Sequence, residues 1–216
     1  MAYDLTLGVL PDPNTNPAGP GWNAQSLSRV TPTSGDRLNG GSVIGIDQGG
    51  EYWTIKLSYT GGIPSEYAPL FSMLNSVTTL HTKFYVSLPF MNNPTLGTWA
   101  GSGAAHGLGL LSKTGARTVE VSDKTQLSGR FSIGDLVKLS NNSKLYMVQS
   151  VNEQSSTIAY TFNCDIVSVV DATVYFEPND VKFKVVLAGN HPEYRINTSG
   201  LIEGFSLDLE ETVDDE

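Results

Sequence analysis

The sequence has few of the residues that build catalytic and metal-binding sites. It contains one cysteine, Cys164, which excludes an intramolecular disulfide and a cysteine metal cluster. The neighbouring residues in TFNCDIVSVV predict that Cys164 is a small buried hydrophobe rather than a nucleophile. The histidines His81, His106 and His191 match no HxH or HExxH spacing. We interpret each of them as an ordinary loop or surface residue.

Sequence signatures of common enzyme classes are also lacking. There is no GxSxG motif, although a Ser-His-Asp triad stays open because its members need not be adjacent in sequence. The glycine-rich run 40–50, GGSVIGIDQGG, matches neither GxGxxG nor GxxxxGK[ST], and we interpret it as a turn before a strand. Residues 12–16, DPNTN, faintly resemble a calcium loop but lack its glycine and closing glutamate. We therefore expect no enzyme activity, no cofactor and no metal.

Basic charge is scarce. The chain has 13 Lys and Arg against 22 Asp and Glu, giving a formal net charge of −9. Six of the acids lie in the final stretch DLEETVDDE, which is typical of a solvated tail and less often of an interaction element. No cluster of Lys and Arg is present to release counterions from phosphates. Specific nucleic-acid binding is therefore not expected.

Long apolar runs are missing as well. No stretch approaches the roughly 18 apolar residues of a membrane span, so membrane insertion is not expected. The first residues, MAYDLTLGVL, have neither a basic start nor an apolar core of signal-peptide type. We expect synthesis in a cytoplasm.

Turn-forming residues are plentiful, with 22 Gly and 11 Pro in 216 residues. This composition favours a turn-rich β protein. Residues 3–10 predict a short strand, but residues 11–42 hold five prolines and no periodic pattern. So long a stretch without a pattern is uncommon inside a compact domain. We expect residues 11–42 to be disordered or to form an arm that a neighbour orders.

The clearest elements follow one another between residues 52 and 89. Strict alternation over 52–59 predicts a half-buried antiparallel strand, and Gly61-Gly62 ends it. An apolar stripe over 67–77 then predicts a helix, whose regular part should begin near Ala68 because Pro69 is costly deeper in a helix. The next strand is predicted in KFYVSLP, 83–89. The residues predicted to form the core of this part are Trp53, Ile55, Leu57, Tyr67, Leu70, Phe71 and Leu74.

Short strands dominate the rest of the chain. After a looser stretch over 92–117, strands are predicted at 118–122, 135–139, 144–151, 156–162 and 172–178. Turns separate these strands at intervals that suit a meander or a small barrel. Two closing strands are predicted at 181–188 and 200–211. The last one places Phe205 and Leu207 on its apolar face, with Gly204 as a predicted bulge.

Two runs carry a resemblance to a known family. The first is QGGEYWTIKLSYTGGIPSEYAPLFSMLNSVTTLHTKFYVSLP, and the second is VKFKVVLAGNHPEYRINTSGLIEGFSLDLEET. Both resemble the distal tail and minor tail proteins of tailed bacteriophages. SGRFSIGDLVKLSNNSKLYMVQSV resembles part of the β domain that longer members insert between those runs.

The resemblance implies a mainly β fold with one α-helix. The implied fold is a β-sandwich or split barrel of the tail-tube type. A helix packs against it, and it carries an inserted small β-barrel. The sequence pattern predicts an N-terminal strand and extended arm over 1–44, and the resemblance implies a ring-forming β domain beginning at 45–96. The inserted barrel follows over 97–178, and the closing strands and acidic C-terminus over 179–216.

The resemblance also implies a structural role in the virion. Similar proteins form a six-fold or trimer-derived oligomeric ring, here expected to be a hexamer, at the distal end of the tail. Such a ring joins the tail tube to hub, baseplate or fibre proteins, and DNA passes through its lumen. An acid-rich lumen would avoid holding phosphates. The protein would be synthesised in the host bacterial cytoplasm.

A carbohydrate-binding β-sandwich module on a virion or cell surface is the alternative interpretation. It requires an exposed aromatic platform. Trp22 and Trp99 lie in predicted loops, where each either packs against the protein interior or contacts a bound carbohydrate.

Overall fold

The computed structural model describes residues 6–37, 43–47, 50–77, 82–88, 111–122, 130–168, 170, 174–177, 181–189 and 192–213. The three histidines, Trp99 and most of the loose stretch over 92–117 lie outside these ranges. The described chain is mainly β with one helix, which confirms the predicted fold class. It divides into two compact units. The first comprises Met1–Tyr85 and Val185–Thr212, and the second comprises Val86–Lys184 and Val213–Glu216.

A six-stranded sheet forms the framework of the first unit, in the order β1-β6-β12-β13-β5-β2. Strand β1 pairs with β6 in parallel, whereas β2, β5, β13 and β12 pair with one another in antiparallel fashion. Strands β1 and β2 are therefore the two terminal strands. The bounds are β1 Thr6–Val9, β2 Ala24–Val30, β5 Tyr52–Tyr59, β6 Lys83–Val86, β12 Phe183–Leu187 and β13 Phe205–Glu211.

Strand β5 lies in the interior of this sheet, and it matches the prediction for 52–59. Its side chains alternate between buried and more exposed positions along the whole strand. The apolar positions of this period-two pattern form one face of the sheet. That face carries much of the core of the first unit.

Helix α1, Pro64–Ser76, buries Tyr67, Leu70 and Leu74. The predicted start near Ala68 is wrong, because Pro64 occupies the first turn and Pro69 is accommodated inside the helix. The missing N–H of Pro69 leaves one carbonyl without its helical partner, that of Ser65 four residues earlier. Ser65 is exposed, so water can satisfy this carbonyl at little cost.

The expectation of an unstructured segment over 11–42 is also wrong. Residues Ala24–Val30 form β2, which pairs along its whole length with β5. Strands β3, Thr33–Arg37, and β4, Val43–Asp47, form a separate antiparallel pair. The sequence of β2, AQSLSRV, shows no apolar alternation, because this terminal strand is only partly buried. Hydrogen bonds to β5, rather than apolar alternation, define it.

A five-stranded sheet forms the second unit, in the order β7-β8-β11-β10-β9. All of its described pairings are antiparallel, but β8 pairs with β11 rather than with β9, so the strand order is not a simple meander. Of the predicted strand at 172–178, the structure describes residues 174–177. Among residues 174–177, Phe176 makes only an isolated bridge to Leu139. The strand bounds are β7 Leu111–Lys113, β8 Thr118–Val121, β9 Leu136–Lys138, β10 Leu145–Glu153 and β11 Ile158–Phe162.

The second unit has an apolar core of its own. Phe131, Tyr160 and Phe176 meet edge to face, with centroid separations of 5.1 to 5.7 Å. Such arrangements suit the aromatic quadrupole. Cys164 is buried in the same cluster, as its neighbours predicted.

Candidate assembly site

The residues predicted as architectural lie around the helix-covered face of the six-stranded sheet. Phe71 on α1 and Phe205 on β13 are only partly buried, and they mark where this core reaches the surface. Their ring centroids lie 5.7 Å apart. The remaining predicted residues are buried: Trp53, Ile55, Leu57, Tyr67, Leu70, Leu74 and Leu207.

The opposite face of the sheet carries small polar side chains. Lys56 on β5 lies between Ser26 on β2 and Asp208 on β13, its register partners. Lys56 Nζ lies 3.2 Å from an Asp208 carboxylate oxygen. The neighbouring register pairs on these strands add serine, threonine and alanine side chains to this face, together with Glu210. On β2, β5 and β13 this polar face carries one lysine, Lys56, which is paired, and two acids, Asp208 and Glu210.

A ladder of aromatic rings runs from the interior of the first unit to its surface. Tyr59 stacks on Phe205 with a centroid separation of 4.9 Å, and Tyr67 meets both rings edge-on. The outermost pair is Phe71 and Tyr194, stacked with centroids 3.9 Å apart. Burial raises the pKa of both the Tyr59 and the Tyr67 phenol above the usual value. The ladder therefore holds neutral phenols at physiological pH and anchors the segment around Tyr194.

That segment belongs to a hairpin at 193–203, named here the 193–203 hairpin. Its turn is closed by Asn197, whose Oδ1 accepts the N–H groups of Ser199 and Leu201 at 2.9 and 3.0 Å. Gly200 in the turn has φ of +77°, a conformation that favours glycine. Ile202 exchanges backbone hydrogen bonds with Gly62, at 3.0 and 2.9 Å. The hairpin is thus fixed at its turn, at its base and through the aromatic ladder.

Large apolar side chains remain exposed beside this hairpin. Ile63, Ile196 and Leu201 are 53%, 60% and 41% exposed, and we call these three residues the apolar patch. The antiparallel bridge between Gly62 and Ile202 makes Ile63 and Leu201 neighbours across the strands. Tyr194 is also 42% exposed. An apolar group of this kind, bordered by charged residues, is typical of an interaction surface.

The acid excess is larger in the same unit. The sequence of the first unit holds 5 basic and 11 acidic residues, whereas the second unit holds 8 basic and 11 acidic residues, three of the acids in its C-terminal stretch 213–216. The charged residues closest to the apolar patch in sequence include Glu193, Arg195 and Glu203. Glu193 and Arg195 pair at 3.2 Å on the exposed surface. Attraction between charges is therefore a poor driving force for contact between two copies of the first unit.

The described ranges contain no group of three or more His, Cys, Asp or Glu residues placed to hold a metal ion. Asp12 caps a turn, since its Oδ1 accepts the N–H of Asn14 at 2.6 Å and its carbonyl accepts the N–H of Gly19 at 2.9 Å. Trp22 donates its indole N–H to Gln25 and packs edge-on against Tyr59. Within the ranges covered by the structure, no helix is long and apolar enough to cross a membrane.

Comparison with known proteins identifies the family of the chain. Residues 10–91 match the family model "Distal tail protein pb9, A domain, N-terminal", and residues 99–173 match "Distal tail protein pb9, B domain". The chain belongs to the phage distal tail protein family. It is 26% identical to the distal tail protein pb9 of Escherichia phage T5 over 207 residues, covering 94% of this chain and 99% of that relative. The resemblance predicted from the sequence is confirmed, and the distal tail protein is a component of the virion tail.

Sequence reasoning missed the surface features of this distal tail protein. The exposed Tyr194, Ile196 and Leu201 lie in HPEYRINTSGLI, where they follow no regular spacing. A usable signal was present nonetheless. Apolar residues on both sides of an Asn-Thr-Ser-Gly turn, without a periodic partner, indicate a hairpin that keeps apolar groups at the surface.

Proposed function

We propose that this distal tail protein is structural rather than enzymatic and assembles into a hexameric ring at the distal end of the tail. There it would join the tail tube to hub, baseplate or fibre proteins. Family membership over most of the chain carries this proposal. The six-stranded sheet supports it, because β1 and β2 each have one pairing neighbour in the described chain. Closing a ring protects such edges from uncontrolled pairing.

The size of the assembly tests this proposal. We expect light scattering to give a mass near six times the 23.2 kDa chain and negative-stain images to show rings. Incubation with tail tube protein would be included, because a neighbour can nucleate ring assembly. A chain that stays monomeric alone and with tail tube protein would contradict the proposal.

We further propose that the polar face of the six-stranded sheet lines the lumen through which DNA passes. Serines 26 and 28 and the paired Lys56 provide hydrogen-bonding groups without a net basic charge. A surface of this kind offers phosphates little salt-dependent attraction. The Ser26→Lys/Ser28→Lys ring should retain DNA at low salt and release it at high salt, whereas the wild-type ring should not retain it. Equal DNA retention by both rings would contradict this assignment, and so would a lumen lined with Lys and Arg.

The second unit is proposed to be an inserted domain that contacts other tail proteins. Its chain enters after Tyr85 and returns at Val185, between two strands that are neighbours in the six-stranded sheet. The sheet therefore needs no strand from the interior of this insertion. Replacing the insertion with a short linker should leave ring formation intact and remove binding to at least one tail protein.

The carbohydrate-binding alternative has one supporting observation, the exposed ring of Tyr194. Trp22 serves packing instead, since its indole N–H is bonded to Gln25. A glycan array separates the two functions. Binding that is lost in Tyr194→Ala would favour the alternative, and absence of binding by an intact ring would favour the structural role.

A further inference from the structure

We draw no further inference here: the strongest candidate, the cavity beside α1 at the base of the 193–203 hairpin, lined by Phe71, Leu74, Asn75, Pro192 and Tyr194, carries nothing because no feature of the described residues shows what covers it.

Discussion

The two units of this distal tail protein solve the problem of apolar burial in different ways. The second unit places most of its described aromatic residues in a closed cluster beneath its five-stranded sheet, and its residues 86–184 hold equal numbers of basic and acidic residues. The first unit covers one sheet face with a helix, carries the larger acid excess and leaves apolar side chains exposed around the 193–203 hairpin. A domain that folds for itself can bury its apolar groups internally, whereas a domain that assembles must leave some for its neighbours. This difference points to the first unit as the assembling part.

Core truncations probe the independence of the two units most strongly. Leu57→Ala in the first and Phe162→Ala in the second each remove a fully buried side chain. We expect losses of about 2–5 and 3–5 kcal/mol in the free energy of unfolding, from lost burial and the cavities left behind. Hydrogen exchange should lose protection only in the mutated unit. Exposed Gln149→Ala is the control, and loss of protection in both units would show that they unfold together.

Gly61→Ala tests how much the position of the 193–203 hairpin contributes to the stability of the first unit. Gly61 has φ of +82°, and an added Cβ would lie 2.1 Å from the carbonyl oxygen of Ile202. We expect a loss of about 3 kcal/mol from backbone strain and displacement of the hairpin. Gly50→Ala is matched in φ, at +70°, but meets open space, so it should cost only about 1 kcal/mol. Equal losses measured by denaturant unfolding would contradict the clash.

Two buried tyrosines, Tyr146 in the second unit and Tyr59 in the first, differ in the hydrogen bonding of their hydroxyl groups. The Tyr146 hydroxyl accepts the N–H of Val167 at 3.3 Å, whereas the buried Tyr59 hydroxyl has no hydrogen-bond partner within the described part of the chain. Tyr146→Phe should cost about 1 kcal/mol, and Tyr59→Phe should be neutral or slightly stabilising. Chemical denaturation of both variants at neutral pH would measure this contrast. A larger loss for Tyr59→Phe would contradict it.

The same tyrosine predicts a response to alkaline pH. Burial raises the pKa of Tyr59, so the neutral phenol supports the folded state fully below the ordinary pKa of about 10. This contribution is lost as pH rises above that value toward the higher folded pKa. Between pH of about 9 and 11, the free energy of unfolding should therefore fall more steeply for the wild type than for Tyr59→Phe. Parallel slopes would contradict the assignment.

Ion pairs are expected to give the smallest energetic difference between the two units. Lys138 and Glu177 in the second unit lie 2.7 Å apart and are mostly shielded, whereas Lys56 and Asp208 lie 3.2 Å apart with both side chains more than half exposed. Double-mutant cycles would replace each lysine with methionine and each carboxylate with its amide. The coupling energy should be about 1 kcal/mol for Lys138 and Glu177 and about 0.3 kcal/mol for Lys56 and Asp208. Added salt should weaken the exposed pair more. A stronger coupling for the exposed pair would reverse the expected order.

Local patterns predicted the interior of the fold better than its edges. Strand β5 and the helical stripe of α1 were recognised because burial on one face imposes a period on the sequence. Strand β2 was missed because its position depends on hydrogen bonds to β5, which leave little trace in a partly buried strand. The start of α1 was misplaced because the exposure of Ser65 removes most of the cost of Pro69.

The candidate assembly site was harder to predict for a related reason. The predicted residues Phe71 and Phe205 proved to be the outer end of the core rather than its centre. The apolar patch depends on the bridge between Gly62 and Ile202, residues that are far apart in the sequence. A single sequence without periodicity does not indicate such a bridge. The family resemblance predicted the role of the protein, whereas only the structure located a surface for it.

The position of the second unit between β6 and β12 has an evolutionary consequence. Because these strands are neighbours in the six-stranded sheet, the intervening segment can lengthen, shrink or be exchanged while the sheet keeps its strand order. A lineage could therefore recombine this module to suit new attachment machinery without redesigning the remainder of the polypeptide.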